Sequence, residues 1–260
     1  MMDLFDLTGK NAVVIGGAGG IGRAIVEGFL EAGANVAIAS RKEESLKAAQ
    51  AEVKEKTGKD IRYYTVDAVN EESVQKLVEN TVKDMGKIDI LVCSQGMNKK
   101  IAVVDLPADT FRQMLDVNIT GVLILCKYFG KHMMANHSGK IIVVSSVRGK
   151  IASRNVGNVG YCTSKAGVDM LVAQVASEFG TENVCVNGIA PTITETPMMT
   201  ELIEKRGGDQ YRQNLAKSLM LHKMATPEDC VGSAIFLASK ASDFMTGHIL
   251  YPDGGLTALG

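Results

Sequence analysis

The chain has 260 residues, 46% of them apolar, enough for one large core or two small ones. A formal net charge of −1, with no block of like charge, argues against a dedicated nucleic-acid binder. Five scattered cysteines (Cys93, Cys126, Cys162, Cys185, Cys230) without a C-x-x-C argue against a disulfide framework and against a structural metal site, and fit a reducing cytosol.

The first residues, MMDLFDLTGK, carry acids where a secretory signal carries bases. The strongest later apolar run, GVLILC, is far shorter than the roughly 20 residues of a membrane span. The expectation is a cytoplasmic protein that meets neither membrane nor nucleic acid.

In chain order, β-branched apolar runs alternate with amphipathic stretches. NAVVIG (11–16) predicts a strand, and the residues after Gly20 predict a helix with Ile21, Ala24, Ile25, Gly28 and Phe29 on one stripe. NVAIAS (35–40) is the next strand. A helix over 42–58 follows, with Leu46, Ala49 and Val53 inward and Gly58 at its end. IRYYTV (61–66) predicts a strand and 70–86 a helix with Val74, Leu77, Val78 and Val82 on its apolar face. IDILVC (88–93) is nearly all apolar, as in a strand buried on both faces.

One long helix is predicted over about 107–135, then strand 140–146, helix 159–180 and strand 184–189. After a polar stretch, 227–239 predicts a helix with Pro227 in its first turn, and HILYPDGG (248–255) closes the series. Strand–helix alternation of this kind builds right-handed βαβ units. The fold class is therefore α/β: a single Rossmann-type doubly wound domain over 1–260, with a central parallel sheet of about seven strands and helices on both faces. Cofactor binding is expected in about 1–140, and catalysis and substrate binding in about 141–260.

GGAGGIG (16–22) falls where the first strand becomes the first helix. Gly16, Gly20 and Gly22 allow positive φ and let backbone N–H groups approach a pyrophosphate at the positive end of the helix. A turn that needs glycine for packing alone is the alternative. At the end of the second strand, a carboxylate would suit the ribose of NAD(H). The strand ends instead in Ser40, followed by Arg41 and Lys42, which suits a 2′-phosphate. The expected cofactor is NADP(H), with NAD(H) as the second candidate.

In GYCTSKAG (160–167) a lysine stands one helical turn after a tyrosine, on the same face. Hydride transfer between an alcohol and a nicotinamide needs a partner for the hydroxyl proton. The Lys165 charge, added to that of an oxidised nicotinamide, is expected to favour the phenolate and lower the pKa of the Tyr161 phenol. Gly160, Ser164, Ala166 and Gly167 are small and would leave room for a cofactor against the helix. Ser146 ends the preceding strand, where open α/β sheets bind ligands, and Ser145 is its rival by position.

The glycine spacing resembles that of the short-chain dehydrogenase/reductase family. Tyr161 and Lys165, DVN (116–118), VSSVRG (144–149), APTITETPM (190–198) and MTGHILYPDGG (245–255) match the family's further motifs in order. The resemblance favours Ser146 over Ser145 and implies a catalytic set of Asn118, Ser146, Tyr161 and Lys165. It places Gly16, Gly20, Ile21, Gly22, Ser40, Arg41, Asp67, Gly96, Tyr161, Lys165, Pro191, Thr194 and Thr196 around the cofactor, with Asp67 at the adenine.

The sequence departs from the family at CSQG (93–96), where N-N-A-G is usual. It departs again at Ile15, where threonine is usual, and at Thr192, where glycine is usual. The resemblance is strongest to a gluconate 5-dehydrogenase-like branch. A 3-oxoacyl carrier-protein reductase is the alternative, and a non-catalytic nucleotide sensor a more distant one. Lys99, Lys100, Arg148 and Arg154 are candidate contacts for a sugar-acid carboxylate. The resemblance also implies a substrate lid over about 192–223 and a homotetramer built through the closing strand and the tail LTALG.

Overall fold

The computed structural model describes residues 2–153 and 157–258; of Met2, Pro197 and Met198 only the backbone is described. All seven predicted strand regions contribute to one sheet: β1 Asn11–Ile15, β2 Asn35–Ser40, β3 Arg62–Thr65, β4 Ile90–Cys93, β5 Gly139–Val144, β6 Val184–Ile189 and β7 Ile249–Leu250. Their order is β3-β2-β1-β4-β5-β6-β7 and every pairing is parallel. The fold is the expected doubly wound α/β architecture.

Because the sheet is covered on both sides, its central strands are apolar at successive positions rather than alternating. Val13, Ile15, Leu91 and Val143 face one core, with Leu125 and Phe129 from α5 (Gly121–Ala135) and Val168 and Val172 from α6 (Val159–Phe179). Ala12, Val14, Ile90 and Ile142 face the other core. It receives Ile25 and Phe29 from α1 (Gly20–Glu31), Leu46 and Val53 from α2 (Glu43–Thr57), and Leu237 from α9 (Val231–Ala238). In α3 (Glu71–Met85), Val74, Leu77 and Thr81 are buried, while Val78 and Val82 pack only partly buried against the first core.

The chain winds outward from β1 to β3 and then crosses back to place β4 on the other side of β1. The connections leaving β1 and β4 therefore diverge, and the crevice between them at the C-terminal edge is where such sheets bind ligands. The glycine turn after β1, the segment after β4 and the Ser145–Ser146 pair after β5 all leave strands at that edge.

Two expectations are corrected, and one stretch read only as polar gains structure. The long helix over 107–135 is α4 (Ala108–Leu115) and α5 joined by a π-helical turn, Asp116–Thr120. The polar stretch after β6 contains two helices, α7 (Pro197–Lys205) and α8 (Gly208–Ala216), whose polar surfaces left no readable core stripe. The closing strand pairs over only Ile249–Leu250, because Pro252 has no N–H to continue a ladder. Arg154, Leu259 and Gly260 lie outside the described residues, as does the side chain of Met198.

Candidate active site

The glycine turn has the geometry its spacing predicts. Gly16 and Gly20 take φ of 78° and 54°, in the region that favours glycine. A Cβ on Gly22 would sit 2.4 Å from the Gly16 carbonyl oxygen, so the turn closes on itself. Gly19 is the N-cap of α1 and offers no side-chain hydrogen bond, which leaves the first N–H groups of the helix without a side-chain cap. Ile21 follows in the first turn of α1. Ile15, 2% exposed, belongs to the core.

Ser40 ends β2 in register with Thr65, and Arg41 follows on the surface. Arg41 has no hydrogen bond or ion pair among the described residues, and the first turn of α1 carries no acid. Asp67 is exposed beyond β3. Its N–H donates to Ser73 Oγ at 3.0 Å and its carboxylate accepts from the Val69 N–H at 3.3 Å. This set is compatible with a dinucleotide carrying a 2′-phosphate: an uncapped helix N-terminus behind a glycine turn, and an unpaired guanidinium at the neighbouring strand end.

The departing segment after β4 is held by backbone. Ser94 N–H donates to the Ile15 carbonyl at 2.9 Å, and the Ser94 hydroxyl lies against Gly22. Gly96 stands over the catalytic side of the crevice; a Cβ there would lie 3.7 Å from Asn118 Oδ1 and 3.8 Å from Lys165 Nζ. The amide of Gln95 and the hydroxyl of Thr192 are buried with no hydrogen-bond partner among the described residues. Two positions where the sequence departs from the family thus carry unsatisfied polar groups. Thr192 does not adopt a positive φ, so its backbone does not need the usual glycine.

Asn118 lies in the π-helical turn and is 1% exposed. Gly121 N–H donates to the Asp116 carbonyl five residues back, the pattern of a π turn, which is often found at functional sites. The extra residue turns Asn118 inward. Its Oδ1 accepts from Met97 N–H at 2.7 Å, and its Nδ2 donates to the Met97 carbonyl at 2.9 Å and to Ser164 Oγ at 2.8 Å. Asn118 therefore clamps the segment after β4 to α6.

The small residues of α6 do something other than expected. Cβ atoms on Gly160 and Gly167 would meet Met114 Cε at 2.1 Å and Ile119 Cδ1 at 2.6 Å, while Ser164 bonds Asn118. Three of the four admit the neighbouring helix rather than a cofactor. Ala166 is exposed.

Ser146 follows the end of β5, 8% exposed, and its side chain is near enough to Tyr161 to favour the phenolate. Its Oγ also accepts from Arg148 N–H at 3.2 Å, capping the turn Val147–Gly149. Lys165 is 4% exposed; its ammonium lies 5.7 Å from the centre of the Tyr161 ring and donates to the Val144 carbonyl at 2.8 Å. Burial lowers Lys165 to about 8, against a smaller raising by Asp169. Burial raises the Tyr161 phenol above its ordinary value, and the nearby Ser146 hydroxyl and the Arg148 charge oppose that. Within the chain itself, desolvation of the phenol outweighs the neighbours that lower it. Ser145, the rival serine, donates instead to Asp169 Oδ1.

Pro191 is buried and its carbonyl accepts from Val147 N–H at 3.1 Å. Thr194, 6% exposed, donates to the Thr192 carbonyl at 3.0 Å and bridges Ala225. Thr196 caps α7 through Met199 N–H, and its side chain faces Gly20 across the crevice, 3.3 Å from where a Cβ would stand. Among the candidate cations, Lys99 is engaged with Gln113 at 3.1 Å, and Lys100 is exposed. Arg148 is the one among the described candidates whose charge reaches Tyr161. Asp169, which the motif reading missed, was detectable from its place one turn beyond Lys165.

A nucleotide crevice at the switch point of a parallel sheet, beside a serine–tyrosine–lysine group, defines a class of pyridine-nucleotide oxidoreductases. A short-chain dehydrogenase family model, described as enoyl-(acyl carrier protein) reductase, matches residues 16–257. The chain belongs to the short-chain dehydrogenase/reductase family, NAD(P)-dependent enzymes that act on CH–OH groups.

It is 32% identical over 258 residues to the 2-dehydro-3-deoxy-D-gluconate 5-dehydrogenase of Formosa agariphila, covering 99% of this chain and 96% of the relative. It is also 32% identical over 253 residues to a 3-oxoacyl-[acyl-carrier-protein] reductase of Rickettsia bellii, covering 97% and 99%. The crystal structure of a gluconate 5-dehydrogenase from Burkholderia cenocepacia, in complex with NADP and tartrate, superposes with a TM-score of 0.91. That pair is 29% identical, with 100% of this chain and 99% of the other covered.

Proposed function

We propose that the chain is an NADP(H)-dependent oxidoreductase of a sugar acid of the gluconate/5-keto-D-gluconate kind. The observation that carries this reading is the meeting of Ser146, Tyr161 and Lys165 at the end of β5, with the Arg148 charge beside them. The dinucleotide would be held by the Gly16–Gly22 turn, with Arg41 at the 2′-phosphate, and Thr194 and Thr196 on the nicotinamide side. When bound, it supplies or takes up the hydride. Residues 192–223, with α7 and α8, form the lid of this reading.

The Ser146 hydroxyl donates to the substrate oxygen and fixes it against the Tyr161 hydroxyl, which gives or takes the proton there. In the reducing direction, a raised pKa keeps the Tyr161 proton in place at neutral pH until the carbonyl oxygen accepts it. In the oxidising direction, the Lys165 ammonium favours the phenolate, and its own value of about 8 leaves it largely charged at neutral pH. Asn118 holds Met97, and with it the segment around Gly96, next to that ammonium. Arg148, following Ser146 and donating to the Ala152 carbonyl at 2.7 Å, would supply its remaining donors to a carboxylate on the substrate.

The test follows NADPH consumption by its near-ultraviolet absorbance, with 5-keto-D-gluconate and with an acetoacetyl thioester, in wild type and Tyr161→Phe. Turnover of the sugar acid, reduced about 100-fold or more in the variant, is the expected result. Turnover of the thioester alone would replace this reading with the fatty-acid reductase one, which the Rickettsia relative supports.

A further inference from the structure

Tyr161, Lys165 and Asp169 follow one another at intervals of four along α6, so they form one stripe of the helix. The first two belong to the proposed acid–base pair; the third has no part in it. Yet the end of β5 is hydrogen-bonded to this stripe, the Val144 carbonyl accepting from Lys165 at 2.8 Å and Ser145 donating to Asp169, with Ser146 beside Tyr161. The strand end is thus tied to the helix at Lys165 and at Asp169, one turn apart.

The turn between strand and helix is shaped around the carboxylate. At Gly149 a Cβ would lie 2.3 Å from Asp169 Oδ2 and 2.9 Å from the Lys165 carbonyl oxygen. Any larger residue at 149 would push the Ser146–Gly149 turn off α6, because one of the obstructing atoms is backbone.

Ser145, Lys165 and Tyr251 bear on Asp169, and Lys150 stands beyond, over the Tyr251 ring. Lys165 shares the helix of Asp169. Tyr251, from the segment after β7, is raised by burial and then by Asp169 and Asp253. Lys150, from the turn after β5, stands 4.8 Å over the Tyr251 ring. Burial favours the neutral acid at Asp169, whereas Ser145 donation and the Lys165 charge favour the carboxylate.

We propose that Asp169 is a positioning residue. Through Ser145 it fixes the strand end that presents Ser146, and its negative charge sustains the positive charge of Lys165. This rests on the acid–base reading of Tyr161 and Lys165, and it adds a third member to their stripe.

The experiment compares wild type, Asp169→Asn and Ser145→Ala. Readouts are kcat and KM across pH with whichever carbonyl substrate is turned over, and urea denaturation across the same pH range. Asparagine keeps an acceptor for Ser145 and nearly the same shape but removes the charge. Asp169→Asn should therefore leave KM within about twofold and move the alkaline limb of kcat down by about one pH unit, as expected for losing an opposite charge nearby. Ser145→Ala should lower kcat about tenfold without moving that limb, since it loosens the serine while leaving the charge.

Profiles of Asp169→Asn that superimpose on wild type in both kcat and limb would overturn the proposal. So would losses in both variants confined to stability, with unchanged turnover in the folded fraction. If wild type turns over neither candidate substrate, the functional reading fails, and denaturation alone decides about Asp169. In that case the alkaline rise in stability due to Lys165 must begin at lower pH in Asp169→Asn, and coincident curves would refute the coupling.

Discussion

Lys165 is 4% exposed, and burial holds its ammonium at about 8, against an ordinary 10.5. Keeping the group charged in the folded state at neutral pH therefore costs about 3 kcal/mol relative to the unfolded chain. Methionine has a similar length and no charge. Lys165→Met removes that cost but also removes the donor to the Val144 carbonyl, a loss of about 1–3 kcal/mol. The variant should be inactive and about 1 kcal/mol more stable at pH 7, with a midpoint about 2–4 °C higher.

Its pH signature is sharper. The folded pKa lies below the unfolded one, so the unfolded state binds more protons between pH 8 and 10.5, and this group's contribution to stability rises with pH across that window. In urea denaturation from about pH 7 to about 9.5, wild type should gain about 2 kcal/mol more than Lys165→Met. Groups common to both proteins cancel in the difference. Stability curves that run parallel would refute the reasoning, because they would mean that Lys165 titrates alike in folded and unfolded chains.

Gly22→Ala places a Cβ 2.4 Å from the Gly16 carbonyl oxygen and 3.0 Å from its carbon, both backbone atoms that can yield only by moving the turn. A loss of about 1–3 kcal/mol is expected in thermal unfolding, together with at least tenfold weaker NADPH binding by titration; an unchanged Kd would show that the turn does not hold the pyrophosphate. Arg41→Ala should raise KM for NADPH about tenfold or more, the worth of a charge-assisted hydrogen bond, and leave KM for NADH within about twofold. Equal effects on both cofactors would remove Arg41 from the 2′-phosphate.

The chain's own pattern determined the sheet and the place of the site. Continuous apolar runs such as Ile90–Cys93 can only be strands covered on both faces, and the stripe Leu46, Ala49, Val53 can bury only one way. Glycine at 16, 20 and 22 is a local backbone requirement and so is legible locally. Helices α7 and α8 were not, because their surfaces are polar and their placement depends on contacts such as Glu195 with Arg212, 3.0 Å apart.

Tertiary structure alone decided the rest. The inward turn of Asn118 depends on one extra residue in a helix whose sequence reads as continuous. Which of two adjacent serines meets Tyr161 depends on the register of β5 against α6, and Asp169 acquires its role only because Gly149 lets the turn close over it. The elevated phenol of Tyr161 has the same origin. Spacing records the lysine one turn away, but desolvation is set by everything packed around the ring, and that exists only once the chain has folded.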